Sequence, residues 1–146
     1  MILVLDASVT IKWLLRGCPE EADTEYAASV WQAAVEGRFA VTQPTHWLPE
    51  VAGALARLSP QTAEEDIEML QALNLPVAKS PSILPRACRL AVELNHHLFD
   101  TLYHALALET EGAVLITADR RYLNNARHLG GIVDLSQWAE VIGARL

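Results

Sequence analysis

The chain has 146 residues, about the size of one ordinary domain, with 51% hydrophobic residues, 20% charged residues and a net charge of −7. This composition excludes a disordered or low-complexity chain, and no apolar run approaches the roughly 20 residues of a membrane span, so no membrane association is expected. The acidic balance argues against tight non-specific nucleic-acid binding, although setting aside the four carboxylates singled out below leaves only −3.

Ile2 to Leu5 is a short apolar run ending in Asp6 and reads as a buried strand. A helix is expected from about Ser8 to Leu15, broken by Gly17 and Pro19, and a longer Ala-rich one from Glu20 to Glu36, closed by Gly37. Phe39 to Thr42 is a second strand. Thr45 to Leu58 is helical in pattern, with Pro49 either tolerated in a first turn or splitting off a short turn. Ser59 as N-cap and Pro60 at the first position predict a helix to about Leu73.

Pro76 to Lys79 is a third strand candidate, and Ser82 the N-cap of a helix to Leu94. Another helix runs from about Asp100 to Glu111 and ends at Gly112. Ala113 to Thr117 is the second clear buried strand. Asp119 to Ala126, Ile132 to Leu135 and Gln137 to Ile142 complete the pattern as helix, strand and helix. Strands separated by helices predict one α/β domain over residues 1–146, a three-layer α/β/α sandwich around a parallel sheet. Cys18 and Cys88 lack metal-like spacing and are expected to be buried, reduced thiols. With no secretory leader pattern in the opening residues, a cytoplasmic protein is expected.

In open parallel sheets, ligands bind beyond the carboxyl ends of the strands. Asp6 ends the first strand, and Asp119 follows Ala113–Thr117 with only Ala118 between. Glu50 lies in the apolar segment Trp47-Leu48-Pro49-Glu50-Val51-Ala52, and Asp100 lies between Leu98-Phe99 and Thr101-Leu102. Buried carboxylates need a partner or a metal. Four at one locus repel one another unless a hard cation such as Mg²⁺ or Mn²⁺ relieves them. Such a centre suits metal-assisted phosphodiester displacement. Each acid also has a plain reading: Asp6, Asp100 and Asp119 as helix N-caps, Glu50 as a solvated helix residue.

Four segments in order resemble the PIN-domain family, and its VapC toxin branch in particular. They are Leu3-Val4-Leu5-Asp6-Ala7-Ser8-Val9, Pro44 to Leu58 around Glu50, Phe99-Asp100-Thr101-Leu102-Tyr103-His104-Ala105-Leu106-Ala107, and Leu115-Ile116-Thr117-Ala118-Asp119-Arg120-Arg121-Tyr122-Leu123. Together they cover nearly the whole chain. The resemblance implies an endoribonuclease dependent on Mg²⁺ or Mn²⁺, with Asp6, Glu50, Asp100 and Asp119 as the metal-binding acids. Ser8 and Thr117 match small hydroxyl positions that support an acid, a water or a phosphate. The resemblance further implies a homodimer and a VapB-like protein antitoxin that blocks the site.

Other constellations compete. His97, Asp100 and His104 form a candidate Zn²⁺ set, because Asp100 and His104 share a helix face. A haloacid-dehalogenase-like phosphatase would need an acid where Ser8 stands. A catalytically silent PIN-like binding module is the non-enzymatic alternative. For RNA, Lys12 and Arg16, and Arg120 and Arg121, are placed to flank the acids and hold phosphates. Trp13, Trp31, Trp47 and Trp138 are expected in the core or at a dimer interface.

Overall fold

The computed structural model describes residues 1–143. Strand β1 (Ile2–Leu5) leads into helices α1 (Ala7–Leu14) and α2 (Thr24–Val35), then the short strand β2 (Ala40–Val41). Helices α3 (Trp47–Leu58), α4 (Ala63–Ala72), α5 (Ile83–Leu94) and α6 (Leu98–Glu109) follow without an intervening strand. Strand β3 (Ala113–Thr117), helix α7 (Arg120–Ala126), strand β4 (Ile132–Asp134) and helix α8 (Trp138–Gly143) finish the described chain. All strand pairings are parallel, in the order β2-β1-β3-β4.

Successive strand residues point to opposite faces, so a strand buried along its length needs cover on both sides. Leu3, Val4 and Leu5 are fully buried, as are Val114 to Thr117 to within 1%. The cover comes from α1, joined by α2 and α3, and from α6, paired with α5. The result is the expected α/β/α sandwich. The tryptophans lie where the apolar pattern puts them: Trp31, Trp47 and Trp138 are buried, and Trp13 stacks on Trp31 at 4.7 Å.

Several local expectations are corrected. Asp23 takes a left-handed conformation (φ 60°), so the second helix begins at Thr24 and not at Glu20. Pro49 occupies the third position of α3, inside the first turn, whose amides have no intrahelical partner anyway. Ser59 closes α3, its amide bonded to the Leu55 carbonyl, and α4 starts only at Ala63. Pro76–Lys79 is not a strand but contributes one bridge, Gln43 with Val77. Gln43 links the two sides of this edge: its backbone bonds Pro76 O and Ala78 N, and its side-chain amide accepts from Leu5 N and donates to Leu5 O, both at 2.9 Å. Cys18 and Cys88 are both exposed. Cys18 sits in the turn after α1, and Cys88 follows buried Ala87 onto the outer side of α5.

Candidate functional site

The order β2-β1-β3-β4 places a topological switch between β1 and β3, where the connections leave the sheet in opposite directions. Leu5 pairs with Ile116, so the residues just beyond, Asp6 and Thr117, emerge together. Asp6 caps α1, accepting from the Ser8 amide at 3.4 Å and from the Ser8 hydroxyl through the same oxygen, Oδ2. The Thr117 hydroxyl donates to that oxygen at 3.1 Å. Ser8 Oγ in turn accepts from Ala118 N, and Thr117 Oγ1 accepts from Asp119 N, at 3.1 and 3.0 Å. The two hydroxyls therefore lock the ends of β1 and β3 to each other. Asp119 caps α7, taking the Tyr122 amide on Oδ1 at 3.0 Å. For Asp6 and Asp119 the capping role and the site geometry coexist, since each cap uses one carboxylate oxygen.

Asp100 is not an N-cap. His97 holds that position, and Asp100 lies in the first turn of α6. Its Oδ2 is 2.9 Å from His96 Nε2. His96, Asp100 and Asp119 each offer one ligand atom, all within 4.8 Å of one another, a cluster able to hold a metal ion. Glu50 projects from the first turn of α3 between His46 Nε2 at 3.4 Å and the Tyr103 hydroxyl, which donates to it at 3.4 Å. His46 is fixed in turn by the Phe99 carbonyl at 2.9 Å and by ring contacts with Phe99 and Tyr103.

The charges of these acids reach one another pair by pair: Asp6 feels Asp100 and Glu50, and Asp100 feels Glu50 and Asp119. Burial pushes the Asp6 carboxyl up to about 6; the Ser8 hydroxyl opposes this, and the charges of Asp100 and Glu50 add to it. Burial also raises Asp100, opposed by His96 and reinforced by Glu50 and Asp119. Burial raises the Tyr103 hydroxyl strongly, with Glu50, Asp6 and Asp100 adding to the shift, so Tyr103 stays a donor. Asp6 and Asp100 both resist ionising, and carboxylates with an imidazole beside them have the donor chemistry of a divalent-cation site.

The candidate zinc set is not assembled. His97 Nδ1 accepts from the Phe99 amide, and His97 is outside the cluster. Both nitrogens of buried His104 are occupied, by the Tyr122 hydroxyl at 2.9 Å and the Gly130 carbonyl at 2.7 Å. The basic residues are engaged locally. Lys12 pairs with Glu21 at 2.8 Å and the Ala22 carbonyl, and Arg16 donates to the Trp13 carbonyl and lies over its ring. Arg120 reaches Asp23 and Asp134 at 3.6 and 3.5 Å, at the edge of a 230 Å³ cavity it shares with Asn124, Arg127 and Ser136. Arg121 is exposed. His46, His96 and Tyr103 were not among the expected site residues. The legible signal was spacing: His46 and Glu50, like His96 and Asp100, are four apart on a helix or at its entrance.

A model of the PIN domain matches residues 3–128. The crystal structure of PAE2754 from Pyrobaculum aerophilum superposes with a TM-score of 0.67 at 23% identity, covering 99% of this chain and 96% of that one. The structure of VapBC2 from Rickettsia felis, bound to a DNA fragment from their promoter, does so with a TM-score of 0.65 at 12% identity, covering 92% and 97%. At these identities the likeness is one of fold. No curated protein matches the chain. Among the described residues, no helix is long and apolar enough to cross a membrane.

Proposed function

The chain belongs to the PIN-domain family, and from that premise we propose that it is a divalent-metal-dependent endoribonuclease, the toxin of a VapBC-type pair, built as one domain over residues 1–146. The observation that supports the proposal is the cluster of His96, Asp100 and Asp119 at the end of β3, with Asp6 tied to the same strand end through Thr117 and Glu50 acting electrostatically on both Asp6 and Asp100. Asp6, Glu50, Asp100 and Asp119 hold the metal, Mg²⁺ or Mn²⁺. A bound divalent cation supplies an activated water and charge neutralisation on the phosphate.

The chain's own groups supply position. Ser8 and Thr117 fix the Asp6 carboxylate and carry the backbone that presents Asp119. His46 and Tyr103 hold Glu50 from two sides, so its carboxylate is aimed before substrate arrives. Preorganised groups of this kind cost little reorganisation at the moment of reaction. Arg120 and Arg121, next to Asp119, and Lys12 and Arg16 on α1 and just beyond it hold the RNA backbone. Because Lys12 and Arg120 already neutralise acids, they contribute to binding only after exchanging those partners. The likeness to VapBC2 supports a VapB-like antitoxin, and a homodimer as the resting assembly belongs to the same proposal.

The test is cleavage of a structured RNA pool by purified protein with Mg²⁺ or Mn²⁺, with EDTA and Asp100→Asn as controls. Metal-dependent cuts absent from both controls are expected. Cuts that persist in Asp100→Asn would overturn the assignment of the acids. An uncut pool together with no metal binding would overturn the enzymatic reading.

A further inference from the structure

Resting on that reading, we infer that His96 is a direct nitrogen ligand of the metal, so that the site prefers a first-row transition-metal dication such as Mn²⁺ to Mg²⁺. Mg²⁺ favours an all-oxygen octahedron and gives up its waters reluctantly, whereas imidazole nitrogen suits transition metals. An acid-only site would carry no such bias.

The geometry fits one coordination sphere. Ligands about 2.1 Å from an octahedral ion lie about 3 Å apart when adjacent and about 4.2 Å apart when opposite. His96 Nε2 and Asp100 Oδ2 are 2.9 Å apart, the spacing of an adjacent pair once the ion takes the place of the proton that Nε2 gives Asp100 and the ring carries its proton on Nδ1 instead. With Asp119 included, the three ligand atoms all lie within 4.8 Å, so small side-chain rotations close the set around one ion. The His96 side chain is 13% exposed, which leaves it little freedom to swing into solvent.

His96 is also held from behind by packing. Its ring packs on Tyr122 at 4.7 Å. Tyr122 is buried, and its hydroxyl meets His104 Nδ1, while His104 Nε2 meets the Gly130 carbonyl. A carbonyl only accepts, so the His104 proton sits on Nε2 and Nδ1 accepts from Tyr122. Gly130 and Gly131 both have positive φ, 74° and 67°, which turns that carbonyl toward His104 and which side chains disfavour. The buried His104–Tyr122 pair thus serves as a backstop that fixes the His96 ring against Asp100.

The test uses the full chain and MnCl₂ alone. Electron spin-echo measurements on the Mn²⁺-loaded protein are expected to show ¹⁴N coupling, lost in His96→Gln. Gln keeps a hydrogen-bond donor for Asp100 but is a weak ligand, so it separates ligation from positioning. Titrations are expected to show Mn²⁺ affinity falling about tenfold in that variant, with Mg²⁺ affinity changed less than about threefold. Bound Mn²⁺ without ¹⁴N coupling in the wild type, or equal losses for both ions, would overturn the inference and leave His96 as a positioning residue for Asp100. The wild-type spectrum decides this even if the variant fails to fold. If ¹⁴N-coupled Mn²⁺ binds but no RNA is cut, the ligand assignment stands and the nuclease reading fails. If no Mn²⁺ binds, both fail.

Discussion

Replacing Asp6 by Asn should make the metal-free protein more stable at neutral pH while abolishing metal binding. Asp6 is 7% exposed, and its carboxyl is pushed up to about 6 by burial and by the charges of Asp100 and Glu50, net of the opposing Ser8 and Thr117 hydrogen bonds. Each pKa unit corresponds to about 1.36 kcal/mol, so ionised Asp6 costs the metal-free fold about 3 kcal/mol. Asn removes the charge and keeps an oxygen for the two hydroxyls. Its new NH₂ group, part-desolvated, returns about 1–2 kcal/mol of that gain. A net stabilisation of about 1–2 kcal/mol remains, or roughly 3–6 °C in Tm for a chain of this size. The sign follows from the folded pKa lying above the unfolded one. The penalty is absent below about pH 4, builds as pH rises toward about 6, and is complete above it. Denaturation in EDTA at pH 4.5 and 7.5 measures this: the advantage of Asp6→Asn should be absent or slightly reversed at the lower pH and full at the higher. Added Mn²⁺ should raise the wild-type Tm and leave the variant unmoved. An Asp6→Asn protein less stable than wild type at pH 7.5 in EDTA, or with the same advantage at both pH values, would refute the reasoning.

Gln43→Ala strips partners from both the Leu5 amide and the Leu5 carbonyl, so a loss of about 2–4 kcal/mol in urea denaturation is expected, with weaker metal binding because Asp6 follows Leu5. Wild-type stability in that variant would show the edge position to be dispensable. Burial holds the His104 imidazole below its usual range, offset by the Gly130 carbonyl and reinforced by the charges of Arg86 and His128. The unfolded chain therefore takes up a proton first, and stability contributed by neutral His104 is present above about pH 6.5 and lost as pH falls below it. His104→Gln should flatten that part of the pH–stability curve measured in EDTA. Arg121→Glu should lower RNA cleavage by roughly tenfold with Tm unchanged, through loss of a charge-assisted phosphate contact. Turnover equal to wild type in both Arg120→Glu and Arg121→Glu would remove these residues from the RNA path.

Much of the architecture is written locally. Ile2–Leu5 and Ala113–Thr117 are apolar without alternation, which only a strand covered on both faces tolerates, and the intervening helical periods demand parallel pairing. The acids at the ends of those strands stand out as a matched pair, although each also caps the helix that follows it. Where local chemistry was ambiguous, tertiary contacts decided. Ser59 can start a helix or end one, and the packing of α3 on α4 selects the ending. Pro76–Lys79 can form a strand, but it meets only Gln43, which Pro44 and the entry to α3 follow at once, so a single bridge forms. Cys18 and Cys88 look like core thiols by type, yet a turn and an outer helix side expose them.

The site divides the same way. Sequence order places Asp6, Glu50, Asp100 and Asp119 on recognisable segments, and their resemblance to a family supplies the expectation that they meet. What no local pattern encodes is that β1 and β3 are neighbours, which sets Asp6 beside Thr117 although 111 residues separate them. Nor does it choose among His96, His97 and His104. All three lie within a helical turn of Asp100, and the choice rests on what else each ring can reach. The Gly130 carbonyl and Tyr122 consume His104, the Phe99 amide consumes His97, and only His96 is left facing Asp100 and Asp119. Chain chemistry thus determines which groups are available, while long-range packing determines which of them face the acids, because hydrogen-bond partners are assigned only when distant segments come together.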